Sequence, residues 1–156
     1  MKTLWKETLK TWLFGLAKIK MIFWVKPRII ELTKERCEVK IPLNWKTRNH
    51  VRSMYFGVLA AGADIAGGMF IMKTMEEMGV KVGFIFKDFH ADFLKLALAD
   101  THFICTEGKE VREAVEETIR TKQRVNKTIH IYATTPKLTG DEPVAKFLLT
   151  ISVKAK

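Results

Sequence analysis

The sequence predicts an α+β fold in which β-strands wrap a long, buried helix. Met54 to Met72 carries Asp64 as its only charge and is rich in alanine and glycine. Such residues stabilise an isolated helix poorly, so we expect close packing around it. A helix that is apolar on all sides is normally buried. Several segments of alternating apolar and polar residues follow, and we expect them to form the β-strands that cover this helix.

The length of 156 residues fits one domain, which can bury roughly two-thirds of its unfolded surface. We expect residues 1–19 to form an N-terminal amphipathic helix and residues 20–156 to form the body, without a linker or repeat. The net charge is +10, and residues 1–48 hold twelve Lys or Arg against four Glu. This basic end could face an anionic membrane, nucleic acid or the phosphates of coenzyme A. The alternative is a basic surface that contacts only solvent. No nucleic-acid-binding motif occurs, so we expect no nucleic-acid partner.

The first helix is predicted from the spacing of large apolar residues. Trp5, Leu9 and Leu13 recur at helical intervals, and lysines lie largely on the other side. Two interpretations stay open. The apolar stripe packs on the body of the fold, or it lies on a membrane surface, where basic residues beside Trp and Leu are common.

The segment from Met54 to Met72 is also close to the length of a membrane-spanning helix. Asp64 at its middle would cost about 2.5–3.5 kcal/mol in lipid, and the composition is alanine and glycine rather than leucine. We therefore expect a buried core helix. Cys37 and Cys105 are isolated, and the lysine-rich start is no convincing signal peptide, which together suggest a reducing cytoplasm.

The remaining elements follow from periodicity and turn residues. The central helix is predicted from Ser53, as its N-cap, to Met78, with Gly79 as a left-handed C-cap. A change of phase near Asp88 predicts a β-bulge in the strand that follows. The other predicted elements are a hairpin of Arg28–Thr33 and Arg36–Leu43, a strand at Thr101–Thr106, a helix at Gly108–Gln123 and strands at Arg124–Thr134 and Val144–Lys154.

Motifs of several enzyme classes are missing from the sequence. There is no Gly-x-Ser-x-Gly, no phosphate-binding Gly-rich loop and no His-Glu-x-x-His. His90, His102 and His130 fall in strands without the spacing of metal ligands, so we expect ordinary sheet histidines and no metal. We expect no cofactor except coenzyme A as part of a substrate.

The order of elements resembles the hotdog fold, in which a curved antiparallel sheet wraps a central helix. Hotdog thioesterases of the phenylacetate-degradation type carry an Asn, a His-Gly-Gly at the start of the helix and an acidic residue further along it. Asn49, Gly57 and Asp64 stand at matching spacings, while Tyr55 replaces the His and Phe56 the first Gly. The overall pattern is most similar to the DUF4442 branch. The resemblance covers roughly residues 20–155, and the motif covers residues 49–68.

The resemblance implies an acyl-CoA thioesterase working as a homodimer or a dimer of dimers. Backbone N–H groups at the helix start would polarise the thioester carbonyl, and Gly57 would let the substrate approach them. Asp64 would act as general base or nucleophile against Gly57 of the second subunit, and Asn49 would orient water or the carbonyl. Tyr55, Phe56 and Ser53 are the candidate substrate-binding residues.

Other interpretations of these residues stay open. Asp64 could be a structural carboxylate paired with Arg52, His50 or a strand residue, because buried carboxylates need partners. Asn49 could be a turn residue and Gly57 a packing residue. Tyr55 is a poor base at neutral pH, since its ordinary pKa is about 10. The alternative function is therefore a non-catalytic module that binds acyl-CoA or lipid, with peripheral membrane contact through residues 3–19.

Overall fold

A curved antiparallel sheet of six strands surrounds a helix of 23 residues in the computed structural model, which describes residues 2–156. The order of strands across the sheet is β1-β2-β4-β5-β6-β3, so β1 and β3 are its edges. The helices are α1 (Trp5–Ala17), α2 (Lys20–Val25), α3 (Phe56–Met78), α4 (Gly108–Thr121) and α5 (Pro136–Thr139). The strands are β1 (Arg28–Leu32), β2 (Cys37–Ile41), β3 (Val82–Phe93), β4 (Thr101–Cys105), β5 (Val125–Thr134) and β6 (Pro143–Ala155).

The N-terminal region contains two helices where the sequence predicted one. Helix α1 is held against β1 by polar contacts: the Thr8 hydroxyl accepts a hydrogen bond from Ile29 N at 3.0 Å. Trp12 Nε1 also donates to the Pro27 carbonyl at 2.7 Å. The apolar run before Pro27 forms α2, which ends at Lys26 in a left-handed conformation (φ 51°). The chain thereby reverses, and both helices lie on the body of the fold. The expectation that the apolar stripe of α1 packs on that body is wrong, because Trp5, Leu9 and Leu13 are exposed and the helix buries Thr8, Thr11 and Gly15 instead.

Helix α3 starts two residues later than the sequence predicted, and the assignment of Ser53 as its N-cap is wrong. Tyr55 occupies the cap position, and no side chain caps the helix. Met54 N donates to the Ala97 carbonyl and Tyr55 N to the Thr47 carbonyl, each at 2.8 Å. These bonds hold residues 54 and 55 extended, so the first helical turn begins only at Phe56. At the other end, Gly79 adopts φ +63° and caps the helix as predicted.

The sheet covers α3 closely, which confirms the expectation drawn from its small residues. A Cβ on Gly67 would lie 2.9 Å from Ile129 Cδ1 and 3.4 Å from Phe86 Cζ, so β5 and β3 both approach the helix backbone. The predicted bulge in β3 is also present, as a register shift between Phe86 and Asp88. By length and composition α3 could cross a membrane, but 56% of its most apolar window is buried inside the protein. Its packing is that of a core helix.

The helix between β4 and β5 forms as predicted and packs on the core. Val111, Ala114 and Val115 on α4 are buried, and the helix contacts α3, β5 and β6. Another side of α3 is only partly covered. Its partly exposed residues include Gly57, Ala60, Ala61, Asp64 and Gly68. The predicted site residues of α3 are on this side.

Candidate functional site

The first turn of α3 presents unused hydrogen-bond donors. Tyr55 O accepts bonds from Val58 N at 2.8 Å and Leu59 N at 3.1 Å. Within residues 2–156, no acceptor is found for the N–H groups of Phe56 and Gly57. Such groups carry the positive end of the helix dipole and can stabilise a negatively charged oxygen.

Two aromatic rings border these donors. The Tyr55 ring packs over Gly57, since a Cβ on that residue would lie only 2.6 Å from Tyr55 Cε1. The Phe56 ring lies 4.8 Å from the Tyr55 ring, between centroids. The two residues are 47% and 60% exposed, so both rings line the open approach to the helix start. Gly57 therefore makes room for the Tyr55 ring, in addition to any role in binding a substrate.

Asn49 organises the loop that leads to α3. Its Oδ1 accepts hydrogen bonds from Val51 N at 3.0 Å and Ser53 N at 3.1 Å, and its Nδ2 donates to Ser53 Oγ at 2.9 Å. Arg52 adopts φ +64° at the turn of this loop. Ser53 is buried and faces Asn49 rather than open space. Both side chains thus have defined structural partners, and their roles toward a substrate stay predictions.

Asp64 lies partly buried on α3 without a charged partner. The alternative of a structural ion pair with Arg52 or His50 is not what the structure has: among residues 2–156, no cation lies within ion-pair distance of its carboxylate. Burial raises the pKa of Asp64 above its ordinary value. A carboxyl group of this kind is a better proton acceptor than an exposed aspartate at neutral pH.

Gly57 and Asp64 share one side of α3 but are far apart along it. They are seven residues apart, which corresponds to about 10 Å of helix. One thioester carbonyl cannot contact both the free N–H of Gly57 and the carboxylate of Asp64 within a single chain.

A cavity of about 470 Å³ adjoins Asp64 between α1 and α3. This cavity was not predicted from the sequence, because it depends on how two helices far apart in the chain pack together. Met69 is buried, but Met72 is half exposed and lines the cavity with Phe14 of α1. Phe14 is the one large apolar residue of α1 opposite the Trp5–Leu9–Leu13 stripe, and a single residue makes no pattern in the sequence.

A polar cluster lies on the outer face of the sheet, away from α3. Glu38 and His102 are buried there, with Glu38 Oε1 at 2.7 Å from His102 Nδ1. Arg36 Nη2 donates to Glu38 Oε2 at 2.8 Å. The hydrogen bonds from His102 and Arg36 hold the pKa of Glu38 below its ordinary value. Within the part of the chain that the structure describes, no group of three His, Cys, Asp or Glu could hold a metal ion.

The sheet wrapped around α3 places the protein in the hotdog class, as solved structures with the same fold confirm. A protein of unknown function from Chlorobaculum tepidum matches with a TM-score of 0.83 at 12% identity, covering 99% of this chain and 98% of that one. A candidate thioesterase from Shewanella oneidensis matches with a TM-score of 0.79 at 12% identity, covering 97% and 99%. A Pseudomonas aeruginosa protein, also described as a thioesterase candidate, gives 0.77 at 18% identity and 96% of each chain. At these identities the likeness establishes the fold alone.

The sequence itself identifies the family. Residues 16–152 match the family described as a domain of unknown function, DUF4442, and the chain belongs to it. The resemblance drawn over residues 20–155 is thereby confirmed at the level of family and fold. A comparison with curated proteins finds no matching sequence.

Proposed function

We propose that the protein is an acyl-thioester hydrolase that acts on acyl-CoA in the cytoplasm, within fatty acid metabolism. The observation that carries this proposal is the pairing of two features on one side of α3. These features are the free N–H groups of Phe56 and Gly57, and the carboxylate of Asp64, which has no charged partner. The first suits a developing oxyanion and the second suits a general base. The thioesterase descriptions of similar hotdog structures agree with this reaction type.

The chemistry needs only these groups and water. The thioester oxygen accepts hydrogen bonds from the free N–H groups, and Asp64 takes a proton from a water molecule that attacks the carbonyl carbon. The tetrahedral intermediate then collapses with cleavage of the carbon–sulfur bond. Asp64 returns the proton to the leaving thiolate, which gives a carboxylic acid and free coenzyme A. Donors aligned in this way typically contribute about 3–4 kcal/mol each to the barrier reduction.

The proposed active unit is a homodimer, or a dimer of such dimers. The separation of about 10 Å along α3 supports this, because Asp64 of one chain can then act beside Gly57 of a second copy. Edge strand β3 supports it as well: it is 12 residues long, pairs on one side with β6 and exposes Ile85, Phe89 and Phe93. A long exposed apolar edge is a natural site for pairing with another strand. The excess of lysine and arginine would attract the phosphates of coenzyme A.

The test is a thiol-release assay with purified protein and a panel of acyl-CoA substrates. The substitution Asp64→Asn should lower turnover by about 10²–10⁴-fold, the usual contribution of general base catalysis. Asp141→Asn is the matched control, since Asp141 lies exposed in the turn before β6. Turnover that Asp64→Asn leaves unchanged would remove Asp64 from the mechanism.

The second candidate function is a non-catalytic module that binds acyl-CoA or lipid at a membrane surface. The Tyr55 ring over Gly57 favours it, since the ring restricts access to the helix start. Exposed apolar residues on and beside α1 and α2 favour it too, with lysines such as Lys6, Lys18 and Lys20 near them. Saturable acyl-CoA binding without turnover across the panel would select this function over hydrolysis. The exposed apolar residues are Trp5, Leu9, Leu13, Leu16, Ile19, Met21, Trp24 and Trp45.

A further inference from the structure

The cavity between α1 and α3 has mostly apolar walls. Phe14 and Ile22 come from the N-terminal helices, Ile65 and Met69 from α3, and Phe84 from β3. Its volume of about 470 Å³ lies within the usual range of small-molecule sites. The cavity is open to solvent on one side, since its lining residues Ile19 and Met72 are exposed. A mostly apolar recess of this size beside the core helix is suited to an apolar ligand.

The space exists because few side chains fill the gap between the two helices. Across it, Thr11 Oγ1 lies 3.6 Å from Met69 Sδ, and Lys10 Nζ pairs with Glu76 at 3.5 Å. Gly68 contributes no side chain, and the one atom that an added Cβ would meet is Phe84 Cε2 of β3, at 4.0 Å. A larger residue at position 68 would therefore project into the cavity without meeting backbone.

Charged side chains lie toward both ends of the wall that α3 contributes. Asp64 comes first along the helix, and Lys73 and Glu76 come last, where Lys10 of α1 pairs with Glu76. Asp64 and Glu76 are twelve residues apart on α3, or about 18 Å along the helix. That length accommodates an extended chain of roughly ten to fourteen carbons, because each carbon–carbon bond advances by less than about 1.5 Å.

We infer that this cavity binds the hydrocarbon tail of a medium- to long-chain acyl thioester, with α1 as its roof and the thioester group at the Asp64 end. The inference rests on the proposed function for the identity of the head group. It adds the class of acyl chain and gives the N-terminal helices a role in substrate selection. The apolar walls bind the tail, while Asp64 meets the reacting group where the cavity opens.

The test measures equilibrium binding rather than turnover. Non-hydrolysable thioether analogues of butanoyl-, octanoyl-, dodecanoyl- and hexadecanoyl-CoA are titrated against the wild-type protein, Gly68→Leu and Glu116→Leu. Leucine at position 68 fills the cavity and favours the helix over glycine. Leucine at position 116 adds the same side chain to the exposed side of α4. A fourth protein carries Met72→Asn, which makes one wall of the cavity polar at a partly exposed position. It tests the same site independently if Gly68→Leu fails to fold.

The wild-type affinity should rise by up to about fourfold per added methylene until the cavity is full. Gly68→Leu and Met72→Asn should lose most of that rise, and Glu116→Leu should keep it. A wild-type affinity independent of chain length overturns the inference, and so does an unchanged chain-length dependence in both cavity variants. Chain-length-dependent binding without hydrolysis refutes the proposed activity but supports the tail site. Hydrolysis of acyl-CoA together with an affinity that does not depend on chain length supports the proposed activity but refutes the tail site.

Discussion

The ring of Phe103 lies against the backbone of α3 at Gly62, and it leaves no room for a side chain there. A Cβ on Gly62 would fall 2.3 Å from both Cε2 and Cζ of the ring. Phe103 is completely buried on β4, so its ring cannot move aside into solvent. This contact explains why a helix central to the fold carries glycine at a position where glycine is unfavourable.

Replacing Gly62 by alanine should therefore destabilise the protein. The added methyl overpacks a closed core, which typically costs about 1–3 kcal/mol. The better helix propensity of alanine offsets up to about 1 kcal/mol of this. Gly68→Ala is the matched control: its Cβ meets only an ordinary contact at 4.0 Å and should stabilise by up to about 1 kcal/mol. Urea unfolding of both variants measures the difference, and equal effects would contradict the packing described for Gly62.

The rate of thioester hydrolysis should depend on pH through Asp64. A general base works only when ionised, and burial raises the pKa of Asp64. Activity should then fall as the pH decreases through this raised pKa, at a higher pH than an exposed aspartate with a pKa of about 3.9 would give. The pH profile of kcat/KM measures the midpoint. A midpoint at or below the ordinary aspartate value would contradict the assignment.

The Glu38–His102 pair should stabilise the outer face of the sheet. Glu38→Ala leaves the buried His102 without its partner, which should cost about 1–3 kcal/mol of unfolding free energy near neutral pH. Glu31→Ala removes an exposed partner of the same Arg36 and should cost only about 0–1 kcal/mol. Urea unfolding of the two variants gives both values.

The sign of the pH dependence follows from the lowered pKa of Glu38. Its contribution is present above the ordinary glutamate pKa of about 4.3 and is lost as the pH falls through the lowered pKa of the folded state. The difference between wild type and Glu38→Ala should therefore shrink in acid. A difference that grows as the pH falls would exclude this ionised pair.

Membrane binding, if it occurs through α1, should depend on the exposed stripe of that helix. Leu13→Glu should reduce co-sedimentation of the protein with vesicles of anionic phospholipid, because it places a negative charge among apolar contacts. Leu138→Glu is the control, since Leu138 on α5 is 61% exposed, close to the 66% of Leu13. Wild-type protein that stays in the supernatant, or equal losses in both variants, would remove the membrane role.

The sequence by itself determined the features that depend on local pattern. The lack of any charged residue other than Asp64 between Met54 and Met72 predicted a buried α3. The change of phase near Asp88 predicted the bulge in β3. The left-handed cap at Gly79 followed from residue type. These predictions succeeded because periodicity and backbone preference act between residues that are close in the chain.

Only the tertiary structure decided where α3 begins and what lies beside it. The helix starts at Phe56 because Ala97, far along the chain, binds the N–H of Met54 and keeps the preceding residues extended. The cavity likewise depends on the distance at which α1 packs against α3, with Gly68 leaving the gap open. Long-range hydrogen bonds and packing distances between separate elements leave no periodic signal, and so the residues alone could not reveal them.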